Sequence, residues 1–101
     1  MVALRARGIR VRRGALGLTY LADQVLGPPR VAYAIGRRSG GAVVRNRLRR
    51  RLRAVVAAAD PPLAPGAYLF TASSAAVSLT HEELKSNVAS LLIALGERTT
   101  R

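Results

Sequence analysis

Cysteine and tryptophan are absent from this 101-residue chain, lysine occurs once (Lys85), and acids number five. Without cysteine there is no disulfide framework, no thiolate metal site and no cysteine nucleophile. The acids Asp23, Asp60, Glu82, Glu83 and Glu97 make a poor catalytic set. Glu82 and Glu83 are adjacent, so on a helix they diverge by about 100° where a general acid and base must converge. Asp60 precedes a proline turn, and Asp23 and Glu97 are isolated. The single histidine, His81, lies inside a helix-start motif, while Ser73 and Ser74 have no general base near them in sequence. Ligands for a protein-only metal site are too few. No apolar run approaches the roughly eighteen residues that cross a bilayer. The N-terminus is basic but lacks the apolar centre of a signal peptide. These absences exclude catalysis by the chain alone and fit a cytoplasmic protein.

What the chain has is positive charge. Seventeen basic and five acidic side chains give a formal charge of +12 and a pI near 11.9. A molecule so charged repels itself and seeks phosphate, which makes nucleic acid the first partner to test and an anionic membrane surface the second. The charge is concentrated in Gly40–Arg53, where six arginines stand between positions 45 and 53 with no acid among them. At about 100° per residue, Val44, Leu48, Leu52, Val55 and Ala59 share one narrow sector of a helical wheel. Asn46, Arg49, Arg50 and Arg53 point the opposite way, with Arg45, Arg47 and Arg51 on the flanks. Such a helix docks on a core by its stripe and offers the rest to polyanions. Arginine suits that task because its planar fork donates two parallel hydrogen bonds and stays charged.

The remainder reads as one small domain spanning residues 1–101. Residues 1–13 form a basic arm with five arginines, in which Gly8 disfavours a helix by ~1 kcal/mol relative to alanine. Leu16, Leu18 and Tyr20 alternate with small residues, the period of a strand. After Gly27-Pro28-Pro29, Val31, Tyr33 and Ile35 mark a second strand, expected to pair antiparallel with the first. Its large side calls for helices, and its small side (Ala32, Ala34) leaves room for something else to approach. Arg37-Arg38-Ser39-Gly40-Gly41 then leads into the basic helix, expected over residues 41–59 and stopped by Asp60-Pro61-Pro62. Glycines ahead of a helix read either as a plain hinge or as a backbone able to approach phosphate. Tyr68, Phe70 and Ala72 give a third strand, and residues 73–78 a small-residue loop. Thr80-His-Glu-Glu83 is a capping box that opens a helix faced by Leu84, Val88, Leu91, Leu92 and Leu95. Gly96 should end it, leaving 97–101 as a loose tail. The order predicts an α+β two-layer sandwich.

The stretch from Val31 to Arg53, with Ala42-Val-Val-Arg-Asn-Arg-Leu-Arg-Arg-Arg-Leu-Arg53 at its heart, resembles the signature of the bacterial ribonuclease P protein subunit. Tyr68-Leu-Phe-Thr-Ala72 and Leu79–Lys85 extend the likeness, which covers roughly residues 14 to 95. The resemblance implies a small mixed sheet, the basic helix in a left-handed βαβ crossover, a C-terminal helix, and a first helix here short or missing. It implies a ribonucleoprotein in which the chain binds a catalytic RNA and the 5′ leader of precursor tRNA. The RNA and its Mg²⁺ then perform the endonucleolytic cut. On that reading Arg37, Arg38, Arg45, Asn46, Arg47, Arg49, Arg50 and Arg53 are RNA-binding residues. Family members open with a longer segment whose helix carries phenylalanines. At the corresponding positions this chain has Arg7 and Val11, so Arg7, Val11, Arg12, Arg13 and Tyr20 are its candidate leader contacts, and Tyr33 is assigned to the core. Ser73 replaces a basic residue common in the family, and Arg51 stands where an apolar residue is usual. Partners implied are the catalytic RNA and precursor tRNA, with no membrane or protein partner. The alternative is a ribosomal-protein-like binder of structured RNA, and a third reading is a basic protein that compacts DNA or coats a membrane.

Overall fold

A computed structural model describes residues 8–22, 28–60 and 62–99. The first strand, β1 (Ile9–Arg13), turns through Gly14-Ala15 into β2 (Leu16–Leu21). Gly14 takes φ +58°, the left-handed position that a two-residue hairpin turn asks of glycine. Strand β3 (Arg30–Ile35) is followed by a 3₁₀ turn at Arg37–Ser39 and then by helix α1 (Ala42–Ala57). Strand β4 (Ala67–Ala72), a second 3₁₀ turn at Ser74–Ser78 and helix α2 (His81–Thr99) complete the chain.

The sheet order is β1-β2-β4-β3, with β1–β2 and β2–β4 antiparallel and β3–β4 parallel. The expected antiparallel pairing of β2 with β3 is therefore corrected: β4 lies between them. The reason is the apolar content of β4. Its Phe70 pairs with Leu18 on one side and Tyr33 on the other and is fully buried, a gain of ~2–3 kcal/mol that an edge position would forfeit. Joining parallel neighbours requires a crossover, and α1 supplies it.

Both helices cover the side of the sheet that carries Leu16, Leu18, Tyr68, Phe70 and Ile35, and their own Leu48, Leu52, Val55, Leu84, Val88 and Leu91 meet it in one core. The reverse side presents Arg10 and Arg12, then Gly17 and Thr19, then Leu69 and Thr71, then Ala32 and Ala34. It is the small side anticipated from β3.

Several expectations at the ends of elements need correction. Residues 9–13 are a paired strand and not an arm, because Ile9 and Val11 alternate with arginines and pack inward. Residues 1–7 and 100–101 lie outside the described residues. Gly96 does not stop α2, which continues to Thr99. There Arg98 Nη1 donates to the Arg10 carbonyl at 2.5 Å and ties the last turn to β1. Residues 58–59 fall beyond α1, and residues 74–78 wind into a 3₁₀ turn instead of an open loop.

Candidate nucleic-acid interface

The chain leaves β3 and doubles back into α1 through Gly40, at φ +134°. A Cβ there would come 3.0 Å from the Cβ of Val44, so this tight reversal demands glycine. The close approach also explains a miss in the helical wheel. Val44 packs over Gly40, outside the core, and is 36% exposed, and the buried stripe of α1 is Leu48, Leu52, Val55 and Val56. Val43, which the wheel did not single out, is 74% exposed in the first turn.

The first turn of α1 is unusually bare. Its N-cap, Gly41, offers no side-chain hydrogen bond and no acid follows it. The helix dipole and the first-turn N–H groups therefore meet no acid within the helix's own first turn. Two buried polar atoms without a hydrogen-bond partner among the described residues belong to the same segment: Ser39 Oγ in the 3₁₀ turn and Arg45 Nε in α1. Buried polar atoms are ordinarily satisfied, so this segment is an exception within the fold.

The eight residues expected to bind RNA lie on this turn and helix. Arg37 and Arg38 are exposed beside the helix start. Asn46, Arg47, Arg50 and Arg53 are exposed along α1, while Arg45 and Arg49 are half-buried at its margin. Arg49 Nη1 donates to Asn46 Oδ1 at 2.6 Å, which holds the two side chains as a pair. Arg53 lies over the Tyr33 ring at 6.0 Å. Arg51 is bound inward, its Nη2 donating to the Leu79 carbonyl at 2.6 Å, so its stem follows the core edge as an apolar residue would.

The candidate leader contacts do not come together. Arg12 and Arg13 are exposed, and Arg13 Nη1 donates to the Arg12 carbonyl at 2.6 Å. Val11 is 7% exposed and belongs to the core, which removes it as a contact. Tyr20 is half-buried at the end of the sheet, its hydroxyl donating to the Pro65 carbonyl at 3.2 Å and its ring 5.0 Å from that of Tyr68. It braces the β4 entry and is not presented on the small side of the sheet. Arg7 lies outside the described residues. His81 is an exposed helix-start residue. Among the described residues no three of His, Asp and Glu gather as a metal-holding group, and no helix is long and apolar enough to cross a membrane.

Comparison with known proteins gives a consistent picture. The sequence model of the family described as Ribonuclease P matches residues 2–96. The ribonuclease P protein component of Beutenbergia cavernae is 42% identical over 72 residues, which make up 70% of this chain and 60% of that protein. The corresponding protein of Symbiobacterium thermophilum is 39% identical over 87 residues, 85% of this chain and 76% of that one. Among solved structures, the Staphylococcus aureus RNase P protein superposes with a TM-score of 0.84 at 15% identity, covering 93% of this chain and 86% of its own. The Thermotoga maritima RNase P protein gives 0.81 at 12% identity, covering 90% and 86%. The structural likeness speaks for the fold, and the sequence matches for kinship.

Proposed function

The chain belongs to the ribonuclease P protein family, and from that premise we propose that it is the protein subunit of a ribonuclease P ribonucleoprotein. In this reading α1 and the preceding turn dock on the catalytic RNA, and the complex removes the 5′ leader of precursor tRNA in the cytoplasm. The RNA and the Mg²⁺ it binds perform the hydrolysis. The chain supplies charge and shape, in keeping with the scarcity of acids and the single histidine.

One observation carries the reading: an arginine-lined helix with no acid of its own starts at an uncapped, glycine-led turn. Arg37, Arg38, Arg47, Arg50 and Arg53 meet phosphates as charged forks, and Asn46 with Arg49 adds a preset pair. Phosphate oxygens reaching the first turn of α1 satisfy its free N–H groups. We assign the leader to the small side of the sheet, which Arg10 and Arg12 edge. Base stacking contributes less there than charge, because no ring stands in the outer row of Gly17, Thr19, Leu69 and Thr71.

Reconstitution with a bacterial ribonuclease P RNA and precursor tRNA tests this. The chain should stimulate leader cleavage at low Mg²⁺. The double substitution Arg47→Ala and Arg50→Ala should lower affinity for the RNA at least tenfold and flatten its dependence on log salt by about 1.5, two contacts' worth. The folded state should be unchanged, since both side chains are exposed. Undiminished stimulation by that variant would remove α1 from the interface.

A further inference from the structure

At the free edge of β3, Pro29, Val31 and Tyr33 line one side of a notch of about 360 Å³, which Val56 of α1 and Leu63 line from the other. Arg53 forms its rim, with the guanidinium carbon 6.0 Å from the Tyr33 ring centre. We propose that this notch receives one unpaired nucleobase of the RNA bound along α1, the base packing on the Tyr33 ring while Arg53 takes the adjoining phosphate. The inference extends the function proposed above to a nucleotide site on the same helix.

Continuity is the first support. Arg53 lines the notch and also ends the exposed arginine row of α1, so an RNA backbone following that row arrives at the notch with its bases within reach. The second is chemistry. The lining is apolar and aromatic apart from Arg53 and the Tyr33 hydroxyl, the combination of ring, guanidinium and apolar wall on which single-stranded bases stack. The third is rigidity. The Tyr33 ring lies nearly parallel to that of fully buried Phe70, 19° apart with centres at 5.9 Å, so it is held in place before any base arrives and loses little freedom on binding. The volume sits at the small end of ligand sites and suits one base better than a helix or a duplex. Burial raises the Tyr33 pKa, and the nearby charge of Arg53 opposes this in part. The hydroxyl therefore stays protonated and available as a donor to a base edge.

The test uses the whole chain and three probes of equal length: single-stranded oligouridylate, single-stranded oligoadenylate, and a ribose-phosphate oligomer without bases. The natural chain should prefer the base-bearing oligomers by roughly tenfold or more. Tyr33→Leu keeps an apolar side chain against Phe70 but removes the ring. It should shrink that preference while leaving affinity for the base-free oligomer unchanged. An equal preference in Tyr33→Leu and the natural chain would overturn the proposal. A second measurement does not depend on the variant folding: 5-bromouridine in the oligouridylate should crosslink to Tyr33 in the unaltered protein, and crosslinks confined to other residues would overturn the assignment. An apolar peptide that displaced the bases from the notch more tightly than RNA binds would also count against it. Failure to stimulate leader cleavage with the Tyr33 effect intact would remove the ribonuclease P reading alone. Normal stimulation without a Tyr33 effect would remove only the notch.

Discussion

The two helices of this molecule are built on opposite terms. Helix α2 opens with a complete capping box: the Thr80 amide donates to Glu83 Oε1 at 2.9 Å, and the Glu83 amide donates to Thr80 Oγ1 at 3.1 Å. Acids stand in its first turn, a base in its last, and Leu84, Val88, Leu91 and Leu95 bury one side. Helix α1 has neither cap nor dipole complement, and arginines repel one another along it. Local signals suffice to specify α2. What holds α1 is tertiary: Leu48 and Leu52 under the sheet, Gly40 against Val44, and Arg51 bound to Leu79. In the function proposed above, RNA supplies what α1 lacks, at its start and along its exposed side.

The contrast can be broken most forcefully through the core. Leu52→Ala removes a fully buried anchor of α1 and should cost about 2–5 kcal/mol in urea unfolding, whereas alanine at exposed Arg50 should change stability by no more than about 0.5 kcal/mol. Next in size is Thr80→Ala, which deletes the cap of α2 at a cost of about 1 kcal/mol and should leave RNA affinity alone. Gly41→Asp sharpens the comparison by giving α1 what α2 already has. Nothing stands within 4 Å of a Cβ at that position, and its backbone is extended. The variant should gain about 0.5–1 kcal/mol of stability and bind RNA several-fold more weakly, because its carboxylate competes for the same amides. A variant both more stable and equally tight in binding would show that the bare helix start is not a phosphate contact.

The smallest effect is one of pH. Hydrogen bonds from the Thr80 amide and hydroxyl hold the Glu83 carboxyl below its usual range. Its contribution to stability is present above the ordinary carboxylate pKa and fades as pH falls through the lowered one. Glu83→Gln keeps a side-chain acceptor without the charge, so the stability gap between it and the natural chain at neutral pH should close below about pH 4. A gap unchanged in acid would mean that the charge contributes nothing.

Local patterns were legible in the chain, and pairings were not legible in those patterns alone. The three strand alternations, both helices and the capping box stand where their periodicity places them. The parallel pairing of β3 with β4 followed from the family resemblance, with its basic helix in a βαβ crossover, and not from strand alternation, because Leu18 and Tyr33 both suit Phe70 and only β4 can satisfy both at once. β1 was obscured by its five-residue span, in which only Ile9 and Val11 are apolar and Gly8 suggests a frayed end. At the interface, helical spacing separated Arg50 and Arg53 from Leu48 and Leu52. It could not reveal that Val44 would be drawn off by Gly40, that Val11 would be core, or that Tyr33 would stand beside Arg53, since each depends on a tertiary neighbour.

The rims of the sheet have a consequence beyond recognition. Among the described residues, strands β1 and β3 stand at the two edges of the sheet, the kind of border along which sheets add strands from other molecules. Arg10, Arg12 and Arg13 line the β1 border, and Arg30 opens the β3 border. Two such borders brought side by side would press like charges together. Cations suited to meeting a nucleic acid thus also discourage the chain from polymerising with itself.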